Sequence, residues 1–161
     1  MAPESEEQFE QRDETRLQRA DRNWNELLQE LRITQTGVAI LFSMLLTVPF
    51  SARFGVLDGF GRTVYLVTLL LAAGSTVFLV GPVAYHRVLF AQGEKTHVVA
   101  VSHRMSTVGL CLLAMAVTGT ILLVWDVLSG RAAATVVAAL FGCSTVGLWF
   151  VPPLLRRRRR D

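Results

Sequence analysis

Charge is what this sequence has least of over most of its length. Of its 13 acidic residues, nine fall within residues 1–32, and only Asp58, Glu94, Asp126 and Asp161 follow. The chain is 52% hydrophobic and 18% charged, and the intervals 33–52, 63–84, 105–125 and 132–155 carry no charge at all. A water-soluble domain spreads charge along every amphipathic element, so a soluble globular fold is excluded. Carboxylates and imidazoles are missing from all four intervals. Ion-coupled transport is therefore left without the ionisable group that ordinarily takes and releases the ion. There is no nucleophile elbow, no H-E-x-x-H, no glycine-rich phosphate loop and no pair of intramembrane carboxylates. No enzymatic role, catalytic residue, metal or cofactor is expected. Cysteine is scarce too. Cys111 and Cys143 fall at depths about 9 Å apart at ~1.5 Å per helical residue, which argues against a disulfide between them. His86, His97 and His103, spaced 11 and 6 residues apart, fit no common ligand motif and read as loop residues.

What is present is length in the apolar intervals. Each runs 20 to 24 residues, and a helix needs roughly 20 to cross about 30 Å of hydrocarbon. The expected fold is an all-α membrane protein: four transmembrane helices in an antiparallel bundle over 33–155, with spans about 33–53, 63–85, 105–127 and 132–155. Residues 1–8 read as a disordered acidic leader, 9–32 as a cytoplasmic amphipathic helix and 156–161 as a basic cytoplasmic tail. The first apolar run is too long and starts too late for a cleavable signal peptide.

Basic residues set the orientation. Thirteen of 16 fall before the first span, between the second and third, or after the fourth, leaving Arg53, Arg62 and Arg131 on the other side. Both termini are therefore expected in the cytoplasm, with Arg32, Arg87, Arg104, Arg156, Arg157 and Arg158 as topology anchors. The terminal run of five arginines follows a span directly, so it reads as an anchor on anionic lipid and not as a nucleic-acid site.

Two polar features invite a functional reading. In 9–32, Leu17, Ala20, Trp24, Leu27 and Leu31 recur at 3-4-3-4 spacing, one apolar stripe on a charged helix. Docking on the membrane surface is the favoured reading, and pairing with another subunit is the alternative. Within the first span, Ala39, Ser43, Thr47 and Ser51 repeat once per turn, a small-residue stripe suited to close helix packing. Gln35 and Arg53 stand at its two ends. Similar stripes occur as Thr68, Ala72 and Thr76 in the second span, and as Ala134, Ala138 and Gly142 beside Thr135, Ala139, Cys143 and Gly147 in the fourth. Pro49 and Pro82 each remove a backbone donor, so the freed carbonyls are expected to find Ser or Thr hydroxyls. A faint repeat also appears. "GR" at 61–62 precedes "GSTVFL" with the same spacing by which "GR" at 130–131 precedes "CSTVGL", consistent with a duplicated helical hairpin.

The stretch "NELLQELRITQTGVAILFSMLLTVPFSARF", with "VYLVTLL" and "GPVAYHR", resembles a family of small actinobacterial membrane proteins of unknown function, over roughly residues 24–155. Some members carry the label sodium:proton antiporter. The resemblance implies a multi-pass protein of the bacterial cytoplasmic membrane and supplies no functional residues. Two readings follow. The first is a non-catalytic structural or interaction protein, partnered by lipid, by itself or by a larger membrane complex. The alternative is a small oligomeric ion or proton channel or transporter, with Ser43, Thr47, Ser51 and Arg53 along its path.

Overall fold

A computed structural model describes residues 16–52, 54–89 and 95–158. It contains four α-helices: α1 (Arg16–Thr47), α2 (Gly59–Leu89), α3 (Lys95–Ser129) and α4 (Arg131–Arg158). Two short 3-10 turns, Val48–Phe50 and Phe54–Val56, lie between α1 and α2, and the described residues include no strand. Four stretches are long and apolar enough to cross a membrane: Leu28–Phe50, which runs from α1 through the first 3-10 turn, Gly59–Tyr85 in α2, Val101–Ser129 in α3 and Arg131–Trp149 in α4. Their outward faces are apolar, with Leu70 70%, Leu140 67% and Leu148 75% exposed. Such surfaces suit lipid, and water would penalise them.

Contacts between helices fix their relative direction. Gln35 meets Leu79 while Leu45 meets Tyr65. Thr68 lies against Gly119, Ser75 against Gly109 and Met105 against Gly81. Thr118 lies against Gly142, and Asp126 reaches Arg131. In each pair one number rises as the other falls, so consecutive helices run antiparallel. The closest pairing is α2 with α3; α1 rests on α2 and to a lesser degree on α3, and α4 packs on α3. Helices α1 and α4 therefore flank the central pair and share no extensive face. The turn between α3 and α4 is one residue long. Gly130, at φ +81°, donates its N–H to the Asp126 carbonyl and offers its own carbonyl to Ala134. A left-handed glycine closes one helix and opens the next.

The central pair is built from small side chains. On α2 the buried line is Thr68, Ala72, Ser75, Leu79 and Pro82, and on α3 it is Ser102, Ser106, Gly109, Ala116 and Leu123. A Cβ on Gly109 would stand 2.8 Å from Leu79 Cγ and 3.3 Å from the Leu79 backbone nitrogen. The two backbones thus approach as closely as a missing side chain allows. On α4, Ala134 and Ala138 are buried as the small-residue pattern anticipates, whereas Thr135, Ala139 and Cys143 are exposed.

On α1 the expected stripe does not pack. Ala39, Ser43, Thr47 and Ser51 are all exposed. The buried line is instead Leu31, Val38 and Leu45, at seven-residue spacing. Leu31 and Val38 pack against Leu79, and Leu45 packs against Ala72 and Ala116. The reason is complementarity. Small residues on α2 and α3 have already made a groove, and a helix lying over a groove needs large side chains to fill it.

The glycines rank by what a methyl would meet. Gly109→Ala is expected to destabilise by about 1–3 kcal/mol, because Leu79 is fully buried and its backbone cannot move aside. Gly81→Ala faces only the flexible end of Met105, and Gly37→Ala meets nothing within 4 Å. Unfolding titrations in detergent should therefore rank Gly109→Ala worst and Gly37→Ala neutral or better. Equal stabilities would refute close packing at Gly109.

Candidate functional site

Proline chemistry organises the polar atoms inside the bundle. Pro49 has no N–H, so the Leu45 carbonyl four residues earlier loses its in-helix donor. Tyr65 of α2 replaces it, donating its buried hydroxyl to that carbonyl at 3.1 Å. Pro82 likewise leaves the Phe78 carbonyl without its donor. At the neighbouring residue, Gln35 Nε2 of α1 donates to the Leu79 carbonyl at 2.8 Å. Between these two ties, Ser75 donates its hydroxyl to the Gly109 carbonyl of α3 at 2.8 Å. The three bonds join α1 to α2 near each end and α2 to α3 midway. The hydroxyls expected to serve the freed carbonyl behave locally instead. Thr47 donates to Met44 O and Ser51 to Val48 O, both at 2.7 Å. A tyrosine from the neighbouring helix takes the role assigned to them.

Of the residues singled out in the sequence, Gln35 enters this seam, whereas Ser43 and Thr47 of α1 and Ser51 of the turn after it are exposed. Arg53 lies outside the described residues. Leu31 is buried, while Arg32 and Arg104 are exposed near the ends of their apolar stretches. Leu17, Trp24 and Leu27 lie on the backbone of α1, Arg87 on α2, and Arg156, Arg157 and Arg158 on α4. The side chains of these seven lie outside the described set. No break separates the charged segment from the first span, because α1 is one helix of 32 residues. The boundary expected at 32/33 is continuous helix.

Sequence reasoning missed a charged clasp at the other end of the bundle. Arg131, first residue of α4, donates through Nη2 to Asp58 Oδ2 at 2.6 Å, and its Nε lies 3.6 Å from Asp126 Oδ1. Its guanidinium also sits over the Phe60 ring, 4.1 Å from the centroid. Asp58 in turn caps α2, accepting the Gly61 N–H at 2.8 Å on its other oxygen. The clasp thus ties the start of α2 to the α3–α4 turn, two places far apart in the chain that antiparallel packing of α2 on α3 brings to one end of the bundle. The signal was present in the sequence as Asp58 three residues before Gly61, and as "DVLSGR" spanning Asp126 to Arg131. Exposed ion pairs add little stability, so the clasp's effect is positional. The Gly61 N–H and the Arg131 guanidinium together hold the Asp58 carboxyl below its ordinary value of 3.8.

The model of a family of unknown function, DUF6328, matches residues 13–153. The chain belongs to that family. No curated protein and no solved structure matches it. The match takes in both the seam and the clasp, and it begins 20 residues before the first charge-free interval. The charged start of α1 is thus part of the family unit. Among the described residues, no group of three His, Cys, Asp or Glu side chains could hold a metal ion.

Two outcomes test these ties. Tyr65→Phe strands the Leu45 carbonyl and is expected to destabilise by about 1 kcal/mol. In a Pro49→Ala background, which restores an N–H four residues on, that loss should shrink; an identical loss in both backgrounds would show that the tyrosine does not serve the proline gap. The second concerns pH. Asp58 has a depressed folded pKa, so the clasp's contribution is complete above the ordinary carboxylate value and is lost as pH falls through the lower folded value. The difference in melting temperature between wild type and Asp58→Asn should stay level from neutral pH to about 4 and vanish below it. A difference fading near pH 6 would contradict the lowered pKa.

Proposed function

We propose that the protein is a non-catalytic scaffold of the bacterial cytoplasmic membrane, with both chain ends cytoplasmic, that works by association with itself or with a larger membrane complex. The observation that carries this reading is the use made of the interior polar groups. Tyr65, Gln35 and Ser75 are each committed to a carbonyl of a neighbouring helix, so they tie the bundle and do not line a path. The described charged side chains lie near the ends of the spans, and Asp58, Asp126 and Arg131 at one end are bound to one another. A helix that crossed the membrane and then lay flat on its surface would need a sharp bend. Such bends occur at proline, at glycine–serine pairs or at π-bulges. Residues 16–36 of α1 contain neither proline nor glycine. That favours projection of the Leu17, Trp24 and Leu27 stripe toward a partner over the flat docking preferred from sequence alone. The orientation follows from the excess of arginine at the end that carries both termini.

One observation favours the oligomeric channel or antiporter-like alternative: Ser43 and Thr47 face outward on α1, where a second copy could reach them. Purified protein in liposomes separates the readings. Ion and proton flux should match empty liposomes, while crosslinking in native membranes should give a discrete oligomer or a defined heteromeric product. Robust flux abolished by Thr47→Leu would overturn the scaffold reading.

A further inference from the structure

We propose that the groove between α3 and α4 is a binding site for one acyl chain of an anionic phospholipid, whose headgroup is held by Arg104 and the arginines at the end of α4. The groove is a cleft of about 410 Å³ walled by Cys111, Met115 and Thr118 of α3 and Gly142, Thr145 and Val146 of α4. That volume falls in the range of ligand sites, roughly 300–1,000 Å³. Its threonines do not make it polar. Thr118 donates its hydroxyl to Ala114 O and Thr145 to Phe141 O, so both hydroxyls are engaged within their own helices. Gly142 leaves the α4 wall without a side chain at the point where Thr118 stands opposite. The result is an apolar slot opening sideways from a helix pair that lies within the membrane. The solvent there is hydrocarbon, so the natural occupant is an acyl chain.

Charge placement selects the kind of lipid. Thr118 lies opposite Gly142, and these two helices run antiparallel. Fourteen residues back along α3 stands Arg104, and fourteen residues on along α4 stands Arg156, so the two arginines occupy the same level, about 21 Å away at ~1.5 Å per residue. Arg104 precedes Cys111 by seven residues, two helical turns, so it falls on the face of α3 that lines the groove. One leaflet's hydrocarbon is about 15 Å deep. A chain whose headgroup sits at that arginine level extends into the groove, with its phosphate at Arg104 and level with the end of α4. A zwitterionic lipid offers the same tails without the net negative charge, and each arginine near the surface is worth about a fivefold preference for an anionic lipid.

The test uses the full chain in mild detergent and native mass spectrometry, with phosphatidylglycerol and phosphatidylcholine added separately. Wild type should retain one phosphatidylglycerol at least tenfold more tightly than phosphatidylcholine. Val146→Trp and Met115→Trp, each filling the groove from a different helix at an exposed position, should lose the retained lipid of either kind. Arg104→Gln with Arg157→Gln should keep a lipid but lose the preference between headgroups. Equal retention of the two lipids by wild type overturns the proposal irrespective of how the variants fold. So does full retention of phosphatidylglycerol by both tryptophan variants. A dimer in wild type that Val146→Trp dissociates, with lipid stoichiometry unchanged, would assign the groove to a second copy instead. None of these outcomes depends on whether the protein acts as scaffold or channel.

Discussion

Everything in this bundle depends on how closely α2 and α3 approach at Gly109. In water, burial of apolar side chains would draw helices together whatever their shape. Lipid offers no such drive, because a leucine is as well solvated by acyl chains as by another leucine. What remains is dispersion and hydrogen bonding, and both need short distances. Gly109 supplies the distance by removing a side chain opposite Leu79, and Gly119 does so opposite Thr68. Once the two backbones are that close, the Ser75 hydroxyl can reach the Gly109 carbonyl without extending. The groove over their joined faces then receives Leu31, Val38 and Leu45 from α1. The order of dependence runs from the glycines, to the serine bond, to the third helix.

The prolines extend that logic instead of opposing it. Each breaks a backbone bond in a place where the lipid cannot compensate, and an unpaired carbonyl there is costly. At Pro49 the compensation comes from the neighbouring helix, so the break becomes an attachment point. Pro49, in the turn that follows α1, is answered by Tyr65 of α2, and near Pro82 Gln35 of α1 donates to the Leu79 carbonyl of α2, one residue past the carbonyl that Pro82 frees. The two bonds fix the register of α1 on α2 at two levels. A helix held only by leucines in a groove could slide by a turn, and one held by two directional bonds cannot do so without breaking both and stranding the Leu45 carbonyl.

Much of this was legible in the residues alone, and the gaps have physical reasons. Four charge-free intervals of spanning length identify the four helices, since charge is what lipid tolerates least. Small-residue spacing identified the packed faces of α2 and α4, where Thr68, Ala72, Ala134 and Ala138 are buried. The same spacing failed on α1, because a stripe of small residues says that a close approach is available, not which neighbour uses it. Ser43 and Thr47 obey the rule and face outward all the same. The clasp was missed for a different reason. Asp58 and Arg131 are 73 residues apart, and periodicity carries no information about which loop ends meet. Only the pairing order of the helices brings those ends together.

The two ends of the bundle are then held by opposite means, and that difference bears on α4. At the clasp end its first residue is bound to Asp58 and Asp126 and stacked on Phe60, so α4 is fixed to α2 as well as to α3. Ala134 and Ala138 continue that contact into the bilayer. Beyond Gly142 the α3 face offers Thr118, Ala114 and Cys111, side chains too small to fill the space, and the cleft begins. From there to Trp149 nothing comparable to the clasp ties α4 among the described side chains. A helix pinned at one end and loosely packed at the other depends on its surroundings for the rest of its contacts. In a membrane those surroundings are acyl chains and headgroups, and the arginines stand beyond the cleft, at the end of α4 away from the clasp. Lipid at that end would do for α4 what Asp58 and Asp126 do at the other.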